Sequence, residues 1–233
     1  MKKLLEYNKT TRHLQSVAGR TAWDQETMMP INSGMSRAME MGALEEVIHE
    51  RKKGSTIKEL LETATPKTFQ EKRLHDLIKR DFDRATVIPN QLASDLAKTT
   101  SLAQMAWQKA RQNNNFSEFS PHLKKVIDLK RKEASLLSPS GDLYDGLIND
   151  YEYGMTKKEA SSIFAVMKPR LLDLRQRISE SKLTKPVLQE NFDTEKQLKL
   201  AHEIAQTFFY DFSRGRIDLS LIHISEPTRQ WQI

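Results

Sequence analysis

The chain has 233 residues, of which 38% are hydrophobic and 29% are charged, with eight glycines and no cysteine. This composition predicts amphipathic helices that each bury one face, and it excludes disulfides, thiolate metal sites and a cysteine nucleophile. The formal net charge is +6, but the lysines and arginines are interleaved with acids. We therefore expect solvated helix faces and no nucleic-acid partner.

Apolar residues recur at helical spacing along the first half of the chain, and turn residues separate the segments. The N-terminal helix runs toward Trp23 and ends at Pro30. Further helices are predicted from Ser33 to Gly54 and, after Pro89, from Asn90 to about Gln112. Two more are predicted to begin at capping boxes. The first box is Thr56 and Glu59, with a helix that ends before Pro66, and the second is Thr68 and Glu71. In the second helix, Met35 and Met39 are interpreted as adaptable core residues.

The second half of the chain shows the same helical spacing. Its predicted helices run from an N-cap and first-turn pair at Ser120 and Pro121 to about Leu136, from Thr156 to Ile178 with a kink at Pro169, and from about Asp193 to Asp211. No stretch alternates with period two between turn signals. The predicted fold class is therefore all-α, with antiparallel amphipathic helices that pack through their apolar faces.

Membrane association and secretion are not expected. No stretch approaches the roughly 18 apolar residues of a membrane span. The N-terminal residues MKKLLEYNKTTRHLQ lack the apolar core of a signal peptide, because Glu6 and Asn8 interrupt it. Together with the lack of cysteine, this predicts a cytoplasmic protein.

The six histidines do not form a metal-binding pattern. A zinc peptidase of the HExxH type needs two histidines one helical turn apart, with a glutamate beside the first as general base. The nearest match is HEIAQ, in which His202 and Glu203 are followed by Gln206 in place of the second histidine. Glutamine is a poor zinc ligand, so we assign no catalytic, substrate-binding or metal-binding residue in this chain.

Two segments are unusually rich in acids and aromatics: WDQETMMP (Trp23 to Pro30) and YDGLINDYEYGMT (Tyr144 to Thr156). Three further segments accompany them in order: RDFDRATVIPNQL from Arg80, SLAQMAWQKARQNNNFSEFSPHLKKVIDLKRKEA from Ser101, and FFYDFSRGRIDLS from Phe208. The set resembles the carboxypeptidase Taq (thermostable carboxypeptidase) family of zinc metallocarboxypeptidases. The resemblance extends from the first residues to about Ser220.

The resemblance implies a helical shell around a groove, with the N-terminal helices on one side of it. It also implies a zinc ion on an HExxH helix, hydrolysis of peptides at their C-terminus, and a homodimer. Members of the family are much longer and carry HExxH further along, so we expect an N-terminal fragment that binds no metal and is inactive alone. Residues 1–220 are assigned to the helical portion of the peptidase, and residues 221–233, LIHISEPTRQWQI, to a tail foreign to the family.

The signature residues of the two rich segments are Trp23, Asp24, Gln25, Tyr144, Asp145, Tyr151, Glu152 and Gly154. We predict that they support helix junctions or the groove and do not contact substrate. For the chain as a whole, a non-catalytic helical protein-interaction module is the alternative. A second alternative is a basic helical nucleic-acid binder, but the acids interleaved with the lysines and arginines argue against it.

Overall fold

The computed structural model describes residues 1–138, 141–181 and 193–219. Within those residues it consists of α-helices and turns, with one short 3-10 helix (Ile31–Ser33) and no strand, which confirms the all-α fold class. The helices are α1 (Lys2–Thr27), α2 (Gly34–Lys53), α3 (Ser55–Thr63), α4 (Phe69–Val87), α5 (Asn90–Gln112), α6 (Phe116–Leu137), α7 (Leu143–Ile148), α8 (Lys157–Glu180) and α9 (Thr194–Thr207).

The chain divides into two compact units, Met1–Ile163 and Phe164–Ile233. Helices α1 to α7 lie in the first unit, and α9 lies in the second. The predicted boundary after Ser220 falls outside the described residues and stays a prediction. Among the described helices, none combines the length and apolar character needed to cross a bilayer.

The hydrophobic core of the first unit joins α1, α3 and α4. Leu4, Ile57, Leu61 and Ile78 form its buried cluster. Ile57 and Leu61 are four residues apart, so they share one face of α3 and point into the same cluster. This core holds the N-terminal end of α1 against the short third helix.

Helices α2 and α5 approach each other through small residues. A Cβ atom on Gly34 would lie 1.5 Å from the sulfur of Met105 on α5, and one on Gly42 would lie 2.3 Å from a side-chain carbon of Lys98. Ser94 of α5 is fully buried. Its hydroxyl donates to the Glu46 carboxylate at 2.8 Å and lies 3.3 Å from the Gly42 carbonyl oxygen. Glycine at these positions therefore permits the close contact between the two helices.

The interpretation of Met35 and Met39 as core residues is wrong. Met35 is 66% exposed, and Met39 is exposed as well. The face that α2 buries carries Gly34 and Ala38, and each methionine follows one of these by a single position. A step of one residue turns the side chain by about 100° around the helix, so both methionines leave the contact face.

The start of α4 was predicted correctly, and its cap is a reciprocal pair of hydrogen bonds between Thr68 and Glu71. At α4 the Glu71 N–H donates to the Thr68 hydroxyl at 3.2 Å, and the Thr68 N–H donates to the Glu71 carboxylate at 3.2 Å. The capping box predicted at Thr56 is wrong, because α3 begins at Ser55 directly after Gly54 and has no side-chain cap.

The predicted start of α6 at Ser120 is also wrong. The helix begins at Phe116, and Asn115 is its N-cap, with its side-chain oxygen accepting from the Ser117 N–H at 3.2 Å. Asn114 before it has a φ of 49°, in the left-handed region that asparagine tolerates. Pro121 consequently lies inside the helix.

Truncation of a buried residue on α2 tests the position of the core. Ile48 is 2% exposed and Val47 is 51% exposed. We expect Ile48→Ala to lower the free energy of unfolding by about 2–4 kcal/mol, because a buried side chain is replaced by a cavity. Val47→Ala is the matched control, with an expected loss below about 0.5 kcal/mol. Urea denaturation followed by circular dichroism measures both, and equal losses would contradict this orientation of α2.

Candidate functional site

The C-terminal turns of α1 carry the first group of signature residues. Asp24 accepts a hydrogen bond from Arg37 of α2, with Oδ2 and Nη2 2.6 Å apart. Arg37 also donates from Nη1 to the Thr21 carbonyl oxygen at 2.6 Å. Partial burial of this guanidinium opposes its charge, but the bonds to Asp24 and Glu40 outweigh that effect and raise the pKa of Arg37. Asp24 thus ties α1 to α2.

Gln25, the next residue, faces α5. Its buried side chain donates from Nε2 to the Ser101 carbonyl oxygen at 2.9 Å and accepts from the Ser101 hydroxyl at 2.8 Å. A buried amide whose donor and acceptor both bind one residue sets the register between the two helices. The Trp23 side chain, by contrast, is partly exposed to solvent.

The second group of signature residues begins in α7. The Asp142 side chain caps this helix by accepting from the Tyr144 N–H at 2.9 Å. Hydrogen bonds from the Lys157 ammonium and from the Tyr144 N–H lower the pKa of the Asp142 carboxyl. Asp145 accepts from the backbone N–H of Lys157 at 2.6 Å. These bonds join α7 to the first residue of α8.

The turn between α7 and α8 depends on Gly154. Its φ is +82°, a left-handed conformation that glycine adopts without steric cost, and its N–H donates to the Asn149 side chain at 2.9 Å. The predicted capping box follows and is confirmed. The Thr156 N–H donates to the Glu159 carboxylate at 2.8 Å, and the Glu159 N–H donates to the Thr156 hydroxyl at 3.2 Å.

Tyr151 and Glu152 lie on the solvent side of the same turn. Tyr151 is 88% exposed, and Glu152 is exposed. Their backbone N–H groups both donate to the Ile148 carbonyl oxygen, at 2.9 Å and 2.8 Å. Their described contacts are therefore those of the turn backbone.

Arg80 of α4 binds both the backbone and a side chain of this turn. Its Nη2 donates to the Asn149 carbonyl oxygen at 2.7 Å. Its guanidinium lies 4.1 Å from the centre of the Tyr153 ring, within the range of a cation–π interaction. Tyr153, one of the aromatic residues of this segment, thus helps to hold the turn against α4.

Arg84, one turn further along α4, forms an ionic bridge between two acids. Its Nη2 donates to Glu133 of α6 at 2.9 Å and to Asp150 of the turn at 2.5 Å. The Glu133 side chain is only 6% exposed, and its other carboxylate oxygen lies 2.7 Å from the Lys130 ammonium. The burial of this charged carboxylate is tolerated because two cations, Arg84 and Lys130, pair with it.

A cavity of about 620 Å³ lies between five helices of the first unit, α1, α2, α4, α5 and α6. Its apolar lining includes the small side chains of Ala85, Ala93 and Ala97. Of the predicted signature residues, Gln25 lines it, and Asp150 of the second rich segment lines it as well. Each of the two rich segments therefore contributes a residue to the cavity lining.

Glu45 and His49 line the cavity one turn apart on α2. Burial raises the pKa of the Glu45 carboxyl, and Lys52 acts against that shift. Burial lowers the pKa of His49. Its Nε2 lies 2.7 Å from the Ile88 carbonyl oxygen and therefore carries the proton. Perturbed pKa values in a concave pocket are typical of functional sites.

The described residues do not fit the zinc ion that the resemblance implies. Within residues 1–138, 141–181 and 193–219, no three His, Cys, Asp or Glu side chains are grouped closely enough to bind a metal ion. His202 on α9 stacks on Phe212 instead, with ring centroids 4.7 Å apart.

Arg80, Arg84, Glu45 and His49 were not predicted as site residues. The prediction that the interleaved charges, including those of RDFDR, lie on solvated helix faces is wrong for Arg84, whose side chain is 27% exposed. The four-residue spacing of the two arginines was the available signal, because it places both on one face of a helix. Their partners lie 49 to 69 positions later in the chain, and no local pattern specifies that pairing.

Comparison with known families and proteins identifies relatives along nearly the whole chain. The family model described as carboxypeptidase Taq (M32) metallopeptidase matches residues 3–223. Thermostable carboxypeptidase 1 of Thermus thermophilus is 33% identical over 232 residues, which cover 92% of this chain and 46% of the relative. Carboxypeptidase 1 of Bacillus subtilis is 26% identical, with 93% and 44% covered.

Solved structures agree with the sequence comparison. The crystal structure of BsuCP superposes with a TM-score of 0.86 at 25% identity and covers 94% of this chain and 45% of its own. The Apo-Mg structure of Pyrococcus furiosus carboxypeptidase has a TM-score of 0.75 at 26% identity, with 94% and 46% covered. The chain spans about half the length of the relatives it matches.

Removal of Arg84 tests the ionic bridge. We expect Arg84→Met to lower the free energy of unfolding by about 3 kcal/mol, because the buried Glu133 loses one of its two cations. The double variant Arg84→Met, Glu133→Met should recover about half of that loss, since no buried charge then lacks its partner.

The control for the bridge lies on the same helix. Asp83→Asn breaks the exposed pair between Lys79 and Asp83, which are 2.6 Å apart, and should cost less than about 1 kcal/mol. Urea denaturation measures all three variants. A double variant less stable than Arg84→Met would contradict the account of Glu133 as a buried charge that needs its partner.

The buried His49 predicts a pH dependence. Its folded-state pKa lies below the ordinary value of 6.5, so the unfolded chain takes up the proton more readily and stability falls as pH drops through about 6.5. Glu45 has the opposite effect on stability. Because its folded-state pKa lies above the ordinary value of 4.5, the folded protein takes up this proton more readily than the unfolded chain. Stability therefore rises as the pH falls toward 4.5 and the buried carboxylate loses its charge.

The two effects are separated by comparing variants. We expect the thermal midpoint of the protein to fall between about pH 7.5 and about pH 5.5. His49→Gln keeps a donor for the Ile88 carbonyl and should show a smaller fall. The same pH dependence in both proteins would show that His49 does not titrate as a buried group.

Proposed function

The chain belongs to the carboxypeptidase Taq (M32) metallopeptidase family, and from this membership we propose that it is the N-terminal part of a metal-dependent carboxypeptidase that removes residues from the C-termini of peptides. The observation that carries the proposal is the continuous match over residues 3–223, combined with coverage of about half of each relative. The five helices around the cavity would then supply part of one side of the peptidase groove.

We propose further that the catalytic metal is zinc and that its HExxH helix lies outside these 233 residues. The six histidines include no pair one helical turn apart, and HEIAQ places Gln206 where the second ligand would stand. The metal supplies an activated water and a polarised carbonyl when it is bound. This chain by itself is accordingly proposed to be inactive.

The remaining expectations from the resemblance are proposals of the same kind. Residues 1–220 are proposed as the peptidase portion, and residues 221–233, which lie outside the described residues, as a foreign tail; the family match ends at residue 223, three residues beyond this boundary. The longer protein acts on peptides in the cytoplasm as a homodimer. The absence of cysteine supports a reducing compartment. The signature residues, which bind other helices or stand in the turn, act in support of the fold and do not contact substrate.

A non-catalytic helical interaction module is the second candidate. The observation that favours it is the exposed apolar stripe on α2 formed by Met35, Met39 and Val47, at four- and eight-residue spacings. An exposed apolar patch of this kind marks a contact surface. In the peptidase such a surface would face other parts of the same protein, whereas in a module it would face a separate partner.

Extension of the reading frame beyond the codon for Ser220 tests the proposed function. We expect the extended protein to contain HExxH and to release C-terminal residues from peptides, with loss of activity when a chelator removes the metal. Replacement of the glutamate of that motif by glutamine should lower turnover by roughly 100-fold or more. The 233-residue chain is the control without activity. An extended protein that folds but does not cleave peptides would favour the interaction module.

A further inference from the structure

Helix α8 carries a continuous row of exposed apolar residues, called the seam below. They recur at alternating steps of three and four, which is the heptad spacing of helices that pack lengthwise against another helix. Each lies in the second unit and is between 45% and 62% exposed: Phe164, Met167, Leu171, Leu174 and Ile178. Single exposed apolar residues are ordinary on a protein surface, but an aligned row of five marks a contact surface.

The residues that flank the seam are basic. Lys168 and Arg175 directly follow two seam positions. Arg170 and Arg177 directly precede two others. Arg177 lies 3.8 Å from Asp173, whereas within the described residues no acid pairs with the other three cations. In paired helices these flanking positions face those of the partner helix and decide which partner is accepted.

A second copy of this chain does not fit the seam. Parallel pairing of two α8 helices would place Arg170 beside Arg175 of the other copy. Antiparallel pairing would place equal flanks, and so like charges, side by side. Like charges at these positions destabilise a helix pair and reject wrong partners. The same cations favour a helix that carries acids at its flanking positions.

The length of the seam favours a partner helix within the same protein. From Phe164 to Ile178 the seam covers about two heptads, or roughly 21 Å of helix at about 1.5 Å per residue. Coiled coils are typically sustained over about three or more heptads. A helix of the same protein needs a shorter seam, because the covalent connection gives it an effective concentration in the millimolar range. This chain covers 46% of the Thermus thermophilus relative, so the proposed longer protein has ample sequence for such a helix.

We propose that an acidic amphipathic helix of the same protein, from the part outside these 233 residues, covers the seam of α8. Its apolar side packs on the seam, and its Asp or Glu residues pair with Lys168, Arg170 and Arg175. This inference rests on the proposed function in one respect, namely that the chain is part of a longer protein. The proposed homodimer then forms through a surface other than the seam.

The first test measures charge preference on the unaltered 233-residue chain. The probes are two synthetic helical peptides of about three heptads with leucine at the seam positions. One has glutamate and the other has lysine at the flanking positions. Amide shifts of 15N-labelled protein report the affinity and the place of binding.

We expect the acidic peptide to bind about tenfold or more tightly than the basic one, with shifts between Phe164 and Ile178. Added salt should weaken this binding, because the flanking charges are exposed. Equal affinity of the two peptides, or binding of neither at about 1 mM, would overturn the proposal.

Variants then locate the contacts. Leu171→Ser removes an apolar residue from the seam and should weaken binding of the acidic peptide by about tenfold. Leu172→Ser is the matched control with unchanged affinity, because Leu172 is 51% exposed on the same helix but lies outside the seam. The double variant Arg170→Glu, Arg175→Glu balances the flanking charges and should remove the preference for the acidic peptide. An unchanged preference, or equal effects of the two leucine variants, with native circular dichroism would contradict the assigned contacts.

Sedimentation tests whether a second copy occupies the seam instead. We expect the association state of the unaltered chain to be the same in Leu171→Ser and Leu172→Ser. A dimer that Leu171→Ser dissociates and Leu172→Ser leaves intact would place a second copy on the seam and overturn the proposal.

The longer protein tests the source of the helix. Hydrogen exchange between Phe164 and Ile178 is measured in the 233-residue chain and in the protein extended beyond the codon for Ser220. We expect exchange to be at least about 100-fold slower in the extended protein, because a covered helix opens less often. Equal exchange would overturn this proposal even where the extended protein cleaves peptides. Slower exchange would support it even where no peptide is cleaved, so this proposal and the proposed function can fail separately.

Discussion

The bridge from Arg84 to Glu133 and Asp150 is the interaction on which the candidate site depends. One guanidinium nitrogen binds a buried acid on α6 and an acid in the turn after α7, at 2.9 Å and 2.5 Å. The burial of Glu133 would be unfavourable without that cation, because a desolvated carboxylate must be paired. The positions of α4, α6 and the turn are consequently linked.

On the other side of the cavity, helix contacts depend on small residues and on buried polar pairs. Gly34 and Gly42 let α2 approach α5, and Gln25 fixes α1 against Ser101. Close approach of the backbones leaves little space at these contacts, whereas the alanines of α4 and α5 leave space beside them. The result is a cavity with an apolar part and a charged wall, in which burial shifts the pKa values of Glu45 and His49 in opposite directions.

Local signals predicted the parts of the fold that local hydrogen bonds decide. The capping boxes at Thr68 and Thr156 satisfy backbone donors within three residues, and both are present. Side-chain burial was predicted less well. The apolar residues Met35 and Met39 are exposed, because α2 buries its glycine and alanine face instead. Hydrophobicity shows that a helix has an apolar side, but a close helix contact selects small residues.

The sequence by itself determined the all-α class, most helix limits and membership of the peptidase family, because periodicity, caps and ordered segments are local properties of the chain. It also contained the residues of the candidate site, in RDFDR and in the signature segments. Only the tertiary structure decided that Arg84 meets Glu133 and Asp150, that Gln25 meets Ser101, and that a cavity lies between them. These contacts join residues 49 to 76 positions apart, and such pairings depend on how the helices pack, which helical spacing does not encode.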